Sequence, residues 1–146
     1  MSDQLFPKGE PAAPDWFTGA AFVNMLFPDS SGLLDCQVYD VVFEPGARNK
    51  WHSHPGGQIL LVTDGVGYYQ EKGQPSKRLI KGDIVPIPPN VTHWHGAAPD
   101  NSFTHIGISP NTSKGAAAWF DEVNDEQYSQ ATGEAAIILT AGNWQL

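Results

Sequence analysis

The chain has 146 residues, with 16 acidic and 8 basic side chains and a formal charge of −8 when its five histidines are neutral. That length argues for one domain able to bury its own core, and 40% hydrophobic with 16% charged residues is a globular rather than a disordered composition. The acidic balance argues against nucleic-acid backbones and anionic membrane surfaces as partners. The single cysteine, Cys36, rules out an intrachain disulfide framework and a cysteine-rich zinc site.

Residues 1–15 carry Pro7, Pro11 and Pro14 and little apolar periodicity, so they are expected to form an extended arm or a frayed tail. The opening segment has no basic region followed by an apolar one, and no apolar run approaches the roughly 20 residues that span a bilayer. A cytoplasmic location is expected. The middle of the chain then reads as short strands at 20–27, 34–43, 48–54, 58–63, 66–71, 78–80, 84–87, 91–97 and 102–109. Gly-, Pro- and Asp-rich turn signals separate them, among them Pro55-Gly56-Gly57, Asp64-Gly65 and Lys81-Gly82-Asp83. Many short strands at fairly even spacing predict an all-β sandwich or barrel. Residues 114–130 are compatible with a short helix, or with a strand and a turn. The apolar run 134–141 would add an edge strand or pack on a partner. The resulting division is an arm over 1–15, a barrel domain over 16–128 and a C-terminal extension over 129–146.

All five histidines lie between His52 and His105. His52 and His54 are two apart on one predicted strand, so both face the same side. Gln58 opens the next strand, and His93 and His95 repeat the two-residue spacing on another. Alternation over 102–109 places Phe103, His105, Gly107 and Ser109 on one face. Alternation over 34–43 places Tyr39, Val41 and Phe43 together. Imidazole is the commonest neutral metal ligand, and several imidazoles with one oxygen donor on rigid strands leave an open coordination position for substrate. Trp51 and Trp94 alternate away from this interior and are expected between sheets or at a subunit interface.

Two stretches carry a resemblance. Gly46-x5-His52-x-His54-x3-Gln58-x6-Gly65 fits the first cupin motif, with Gln58 where an acidic ligand is usual. Gly82-x5-Pro88-x-Asn90-x2-His93 fits the second, with Asn90 in place of a glycine and Ala97 in place of a frequent asparagine. The resemblance implies a double-stranded, jelly-roll-like β-barrel holding one divalent metal at His52, His54, Gln58 and His93. Further residues, including Asp15-Trp16-Phe17-Thr18-Gly19, Trp51-His52, His93-Trp94-His95-Gly96-Ala97-Ala98-Pro99 and Thr104-His105, look like bacterial cupin hydroxynitrile lyases that use manganese. That similarity implies manganese first, with iron, nickel or zinc as alternatives. It also implies His95 and His105 in the active site, pocket positions at Tyr39, Val41 and Ser109, and a homodimer acting on a small molecule. Tyr39 is bulkier than the small residue expected there.

Three neutral imidazoles and a neutral amide leave a bound dication with its full charge, which favours anionic ligands such as alkoxide or cyanide. The expected reaction is cleavage or formation of cyanohydrins, with the substrate oxygen on the metal and His95 and His105 moving the proton. A metal-dependent cupin dioxygenase and a non-catalytic cupin that binds metal or a small ligand stand as the alternatives.

Overall fold

The computed structural model describes residues 4–133. Twelve strands follow in order: β1 (Glu10–Pro11), β2 (Phe17–Thr18), β3 (Ala21–Phe27), β4 (Cys36–Phe43), β5 (Arg48–Asn49), β6 (His52–Ser53), β7 (Gln58–Glu71), β8 (Lys77–Ile80), β9 (Ile84–Ile87), β10 (His93–Ala97), β11 (Phe103–Pro110) and β12 (Ala118–Trp119). A 3-10 turn at Thr112–Lys114 precedes β12, and one α-helix, α1 (Asp125–Thr132), closes the described chain. Every strand pairing is antiparallel, in the order β1-β3-β4-β11-β7-β10-β5-β2, with β8 and β9 also on β7, and β6 lying between β10 and β12. The result is a curled, mostly β architecture, as the spacing of strand and turn signals predicts.

Within the described part of the arm, Glu10 and Pro11 pair with Val23 and Phe22. Two expectations about the strands are corrected. The segments 58–63 and 66–71 form one continuous strand, β7. The Asp64-Gly65 signal marks a bend instead of a reversal. Gly65 has φ +77, and a Cβ there would stand 2.0 Å from the Ser102 carbonyl oxygen, so glycine lets the strand pass close to its neighbour. Before the bend β7 pairs with β9 and β11; beyond it, with β8 and β10.

The expected strand 48–54 is instead broken at Lys50 and Trp51 into β5 and β6. Arg48 and Trp51 therefore face outward to the helix, while Asn49 and His52 face inward. Residues 114–130 contain both a strand and the start of a helix. Asn124 caps α1 by accepting from the Gln127 N–H, and the Gln127 side chain accepts from the Asn124 N–H, a reciprocal arrangement that satisfies two otherwise free helix donors. The apolar run 134–141, and most of the extension 129–146, lie outside the described residues.

Alternation divides the buried side chains into two clusters. Phe43, Leu60, Val62, Tyr69, Leu79, Ile87 and Phe103 fill the interior, each large apolar side chain worth about 1.5–3 kcal/mol when fully buried. Trp51, Trp94, Val123, Tyr128 and Ala131 pack outside it, beneath α1. The two tryptophans do alternate away from the interior, and a helix of the same chain covers them. Buried Arg48 pins this layer by donating from Nε and Nη2 to the Val123 carbonyl at 3.1 and 2.7 Å. The Tyr128 hydroxyl donates to the Ala97 carbonyl at 2.6 Å. The outer layer thus holds β10, and with it His93 and His95, from behind.

Candidate metal centre

β10 lies between β6 and β7, with His93 opposite both His52 and Glu71. Alternation turns His93 and His95 inward, and β6 turns His52 towards them. Nitrogens of His52, His93 and His95 all lie within 4.8 Å of one another, a three-histidine cluster able to hold a metal ion. His54 follows β6 in the turn, with its ring centroid 5.1 Å from that of His52 and 5.9 Å from that of His93. Its Nε2 is buried with no partner among the described residues. Gln58 opens β7 and brings its Oε1 to 3.0 Å from His93 Nε2.

Hydrogen bonding sets the tautomers. His52 Nδ1 donates to the Lys50 carbonyl at 2.8 Å, and His93 Nδ1 donates to the Val91 carbonyl at 2.9 Å. Each bond fixes the proton on Nδ1 and leaves the Nε2 lone pair free, the usual second-sphere arrangement of metal-binding histidines. Burial pushes His93 and His54 down to about 4. His52 is held well below its ordinary value, by burial first and then by neighbouring imidazoles. At neutral pH these rings are uncharged, the form that binds metal.

A consequence follows for Gln58. Its Oε1 and His93 Nε2 are both acceptors, yet they stand at hydrogen-bond distance. Gln58 Nε2 is committed elsewhere, donating to the Tyr39 hydroxyl at 2.8 Å. Converging lone pairs repel unless something positive lies between them, so the donor set fits a cation. His54 Nε2, buried and without a partner among the described residues, is a further atom able to ligate a cation. His95 differs from these, since Asn49 Nδ2 lies 3.3 Å from its Nδ1 and 3.2 Å from its Nε2. Its Nδ1 also stands 3.1 Å from His105 Nε2. Protein groups therefore already engage His95. This favours His52, His54, Gln58 and His93 as the donor set, with His95 and His105 as a separate imidazole pair. Burial lowers both of the pair, His105 to about 4.

A cavity of about 620 Å³ adjoins the cluster, and its lining includes Tyr39, Val41, His54, Gln58, His95, His105 and Ser109. Tyr39 and Ser109 share a hydrogen bond of 2.7 Å. Phe43 is on the expected face but does not line the cavity. It is fully buried behind His95 and His105, at ring distances of 5.9 and 5.7 Å. Two residues were not expected at the site. Asn49 reaches it through the break between β5 and β6. Trp119 reaches it because β12 pairs with β6, stacking the indole on His52 at 4.6 Å and on Trp16 at 5.4 Å.

Antiparallel strands curled around a buried histidine site define a β-barrel protein with a candidate metal centre, and comparison with known proteins gives the class its name. The profile of the cupin domain (Cupin_2) matches residues 39–105. The chain is 43% identical over 116 residues to an (R)-mandelonitrile lyase from Granulicella tundricola, covering 78% of this chain and 86% of the relative. It is 57% identical to a cupin-like protein from Thermotoga maritima of known crystal structure, with a TM-score of 0.88 over 89% of this chain and 98% of that one. A cupin 2 conserved barrel domain protein from Rhodopseudomonas palustris, at 18% identity, shares the fold with a TM-score of 0.64, over 82% of this chain and 85% of that one. The chain belongs to the cupin family. Among the described residues no helix is long and apolar enough to cross a membrane.

Proposed function

We propose that the protein is a metal-dependent lyase that cleaves or forms cyanohydrins, with manganese held by His52, His54, Gln58 and His93. The observation that carries this reading is the juxtaposition of a wholly neutral donor set with a second pair of neutral, hydrogen-bonded imidazoles. A divalent cation in such a set keeps its full charge and supplies Lewis acidity towards a substrate oxygen. The similarity to an (R)-mandelonitrile lyase supports the substrate class.

The protein groups then divide the proton work. With the His95 Nδ1 proton donated towards His105 Nε2, the His95 Nε2 lone pair exchanges its 3.2 Å contact with Asn49 Nδ2 for the substrate hydroxyl and serves as its base. The cyanohydrin O–H proton passes to His95 Nε2. The carbonyl forms, and the C–C bond to the nitrile breaks with its electron pair leaving on cyanide. Cyanide takes up that proton and departs as hydrogen cyanide. His105 steadies the charged imidazole in the interval, as the orienting member of a catalytic triad does. Asn49 holds the His95 ring in place through its backbone N–H, which donates to Asn49 Oδ1 at 3.0 Å. Val41 and the Tyr39–Ser109 pair face the rest of the substrate.

The test is benzaldehyde release from mandelonitrile by manganese-loaded protein, compared with metal-stripped protein and with His95→Ala. Aldehyde release by the loaded protein alone is expected. Release no faster than from His95→Ala refutes the reading.

A further inference from the structure

Before any metal binds, protein groups must settle the orientation of the Gln58 amide. The side-chain amide of Gln58 has two ends of nearly equal shape and opposite polarity. With Oε1 towards His93, two acceptors converge and a cation is welcome between them. After a half-turn of the amide, Nε2 would donate to His93 Nε2. That bond is a good one without metal, but it aims N–H groups at the place where a cation would sit. Gln58 as found has Oε1 at 3.0 Å from His93 Nε2 and Nε2 at 2.8 Å from the Tyr39 hydroxyl.

We propose that Tyr39 is a positioning residue for the metal centre, and that the hydroxyl chain Gln58–Tyr39–Ser109 selects the amide orientation that presents oxygen to the metal. This rests on the reading of Gln58 as a metal ligand. The polarity of the chain carries the argument. When Gln58 Nε2 donates to the Tyr39 oxygen, the tyrosine proton must go elsewhere, and Ser109 Oγ at 2.7 Å takes it. Either hydroxyl of the pair can donate; by offering an acceptor for the tyrosine proton, Ser109 makes the oxygen-to-His93 orientation of an amide it does not touch possible. Without Ser109 the tyrosine proton has Gln58 Oε1 as its partner, which favours the turned amide. The ring is seated for this task at Gly107, where a Cβ would stand 2.1 Å from Tyr39 Cε2. Glycine is the one residue that leaves room for the phenol in this position.

The experiment measures Mn(II) affinity by electron paramagnetic resonance of the free ion, with circular dichroism to confirm folding. Tyr39→Phe keeps the ring and removes only the hydroxyl. It is expected to weaken Mn(II) binding about 10- to 100-fold, the usual effect of losing an outer-sphere partner. Ser109→Ala is expected to weaken binding several-fold (about 3- to 10-fold, at or below the lower end of the same range). A carboxylate has no wrong end, so in a Gln58→Glu background Tyr39→Phe should leave affinity unchanged or tighten it. Equal losses in both backgrounds, or wild-type affinity for Tyr39→Phe, overturn the proposal and leave the metal centre standing. Absence of Mn(II) binding by the wild type overturns both.

Discussion

Replacing Gly107 by alanine tests the packing of the site without touching any polar atom. The added Cβ would lie 2.1, 2.7 and 2.8 Å from three atoms of the Tyr39 ring. Ordinary contact begins near 3.4 Å, so the ring must retreat by more than 1 Å. Two responses compete. Forcing the methyl into fixed packing costs about 1–3 kcal/mol. Swinging the ring into the adjoining cavity avoids the overlap but breaks the bonds to Gln58 and Ser109, at about 1 kcal/mol each. The cavity of about 620 Å³ makes the swing accessible, and its cost is no higher, so the ring moves. For a chain of this size each kcal/mol lowers Tm by roughly 2–4 °C, so losing two bonds of about 1 kcal/mol each gives a fall of about 4–8 °C. Calorimetry measures the fall, and Mn(II) titration of the same sample shows whether Gln58 has lost its partner. Combining Gly107→Ala with Tyr39→Phe should add little to the loss of affinity of either, because both break one contact. A Tm within about 1 °C of wild type, with unchanged affinity, would refute the reasoning.

Three other outcomes are expected. The stability of metal-free protein should fall as pH drops from about 6.5 towards 4. The unfolded chain takes up protons on its histidines over this range, while in the fold His54, His93 and His105, each lowered to about 4, and His52 and His95, both held well below their ordinary value by burial, stay largely neutral until pH nears 4. Asp40, pushed up to about 6 by burial, contributes with the opposite sign, but one group opposes five; a Tm that rises from pH 7 to 4.5 contradicts this balance. Arg48→Met should cost about 2 kcal/mol or more in urea unfolding, because it removes buried charged bonds to Val123, whereas Asp125→Asn, at a fully exposed partner of the same arginine, should stay within about 1 kcal/mol. His105→Ala should lower mandelonitrile turnover while leaving Mn(II) affinity within about 3-fold of wild type, well short of the 10- to 100-fold loss typical when a group supporting the metal is removed; equal loss of both would place His105 among the groups that hold the metal.

Much of this site was legible because strand geometry is simple where it holds. Two-residue spacing sufficed to bring His93 and His95 to one face, and the motif spacing brought Gln58 beside His93. The same rule failed at Asn49. A two-residue interruption shifts the alternation, so Asn49 and His52 share a side that a continuous strand would have denied them. Trp119 was illegible for another reason, because its place against His52 depends on a long-range pairing that no local pattern encodes. Alternation also gives the face of a side chain and not its depth, which is why Phe43 points inward yet lies behind the imidazole pair. The Asp64-Gly65 step shows the limit of turn chemistry. A positive φ serves equally to reverse a chain or to bend one, and the choice rests with the neighbouring strands.

The pairing of His52 with His93 also bears on how the protein acquires its site. Three of the donors sit close together on β6, the turn beyond it and the start of β7, and the fourth, His93, is on β10, far along the chain. They meet only after a large loop has closed and its entropy has been lost. Before that closure the local cluster of His52, His54 and Gln58 offers only part of the site, and His93 completes it. The metal's contribution falls on the finished topology, so a bound cation slows the opening of the barrel far more than it hastens its assembly. Retention of metal then becomes a clock for unfolding, set by the ladder that holds the two histidines side by side.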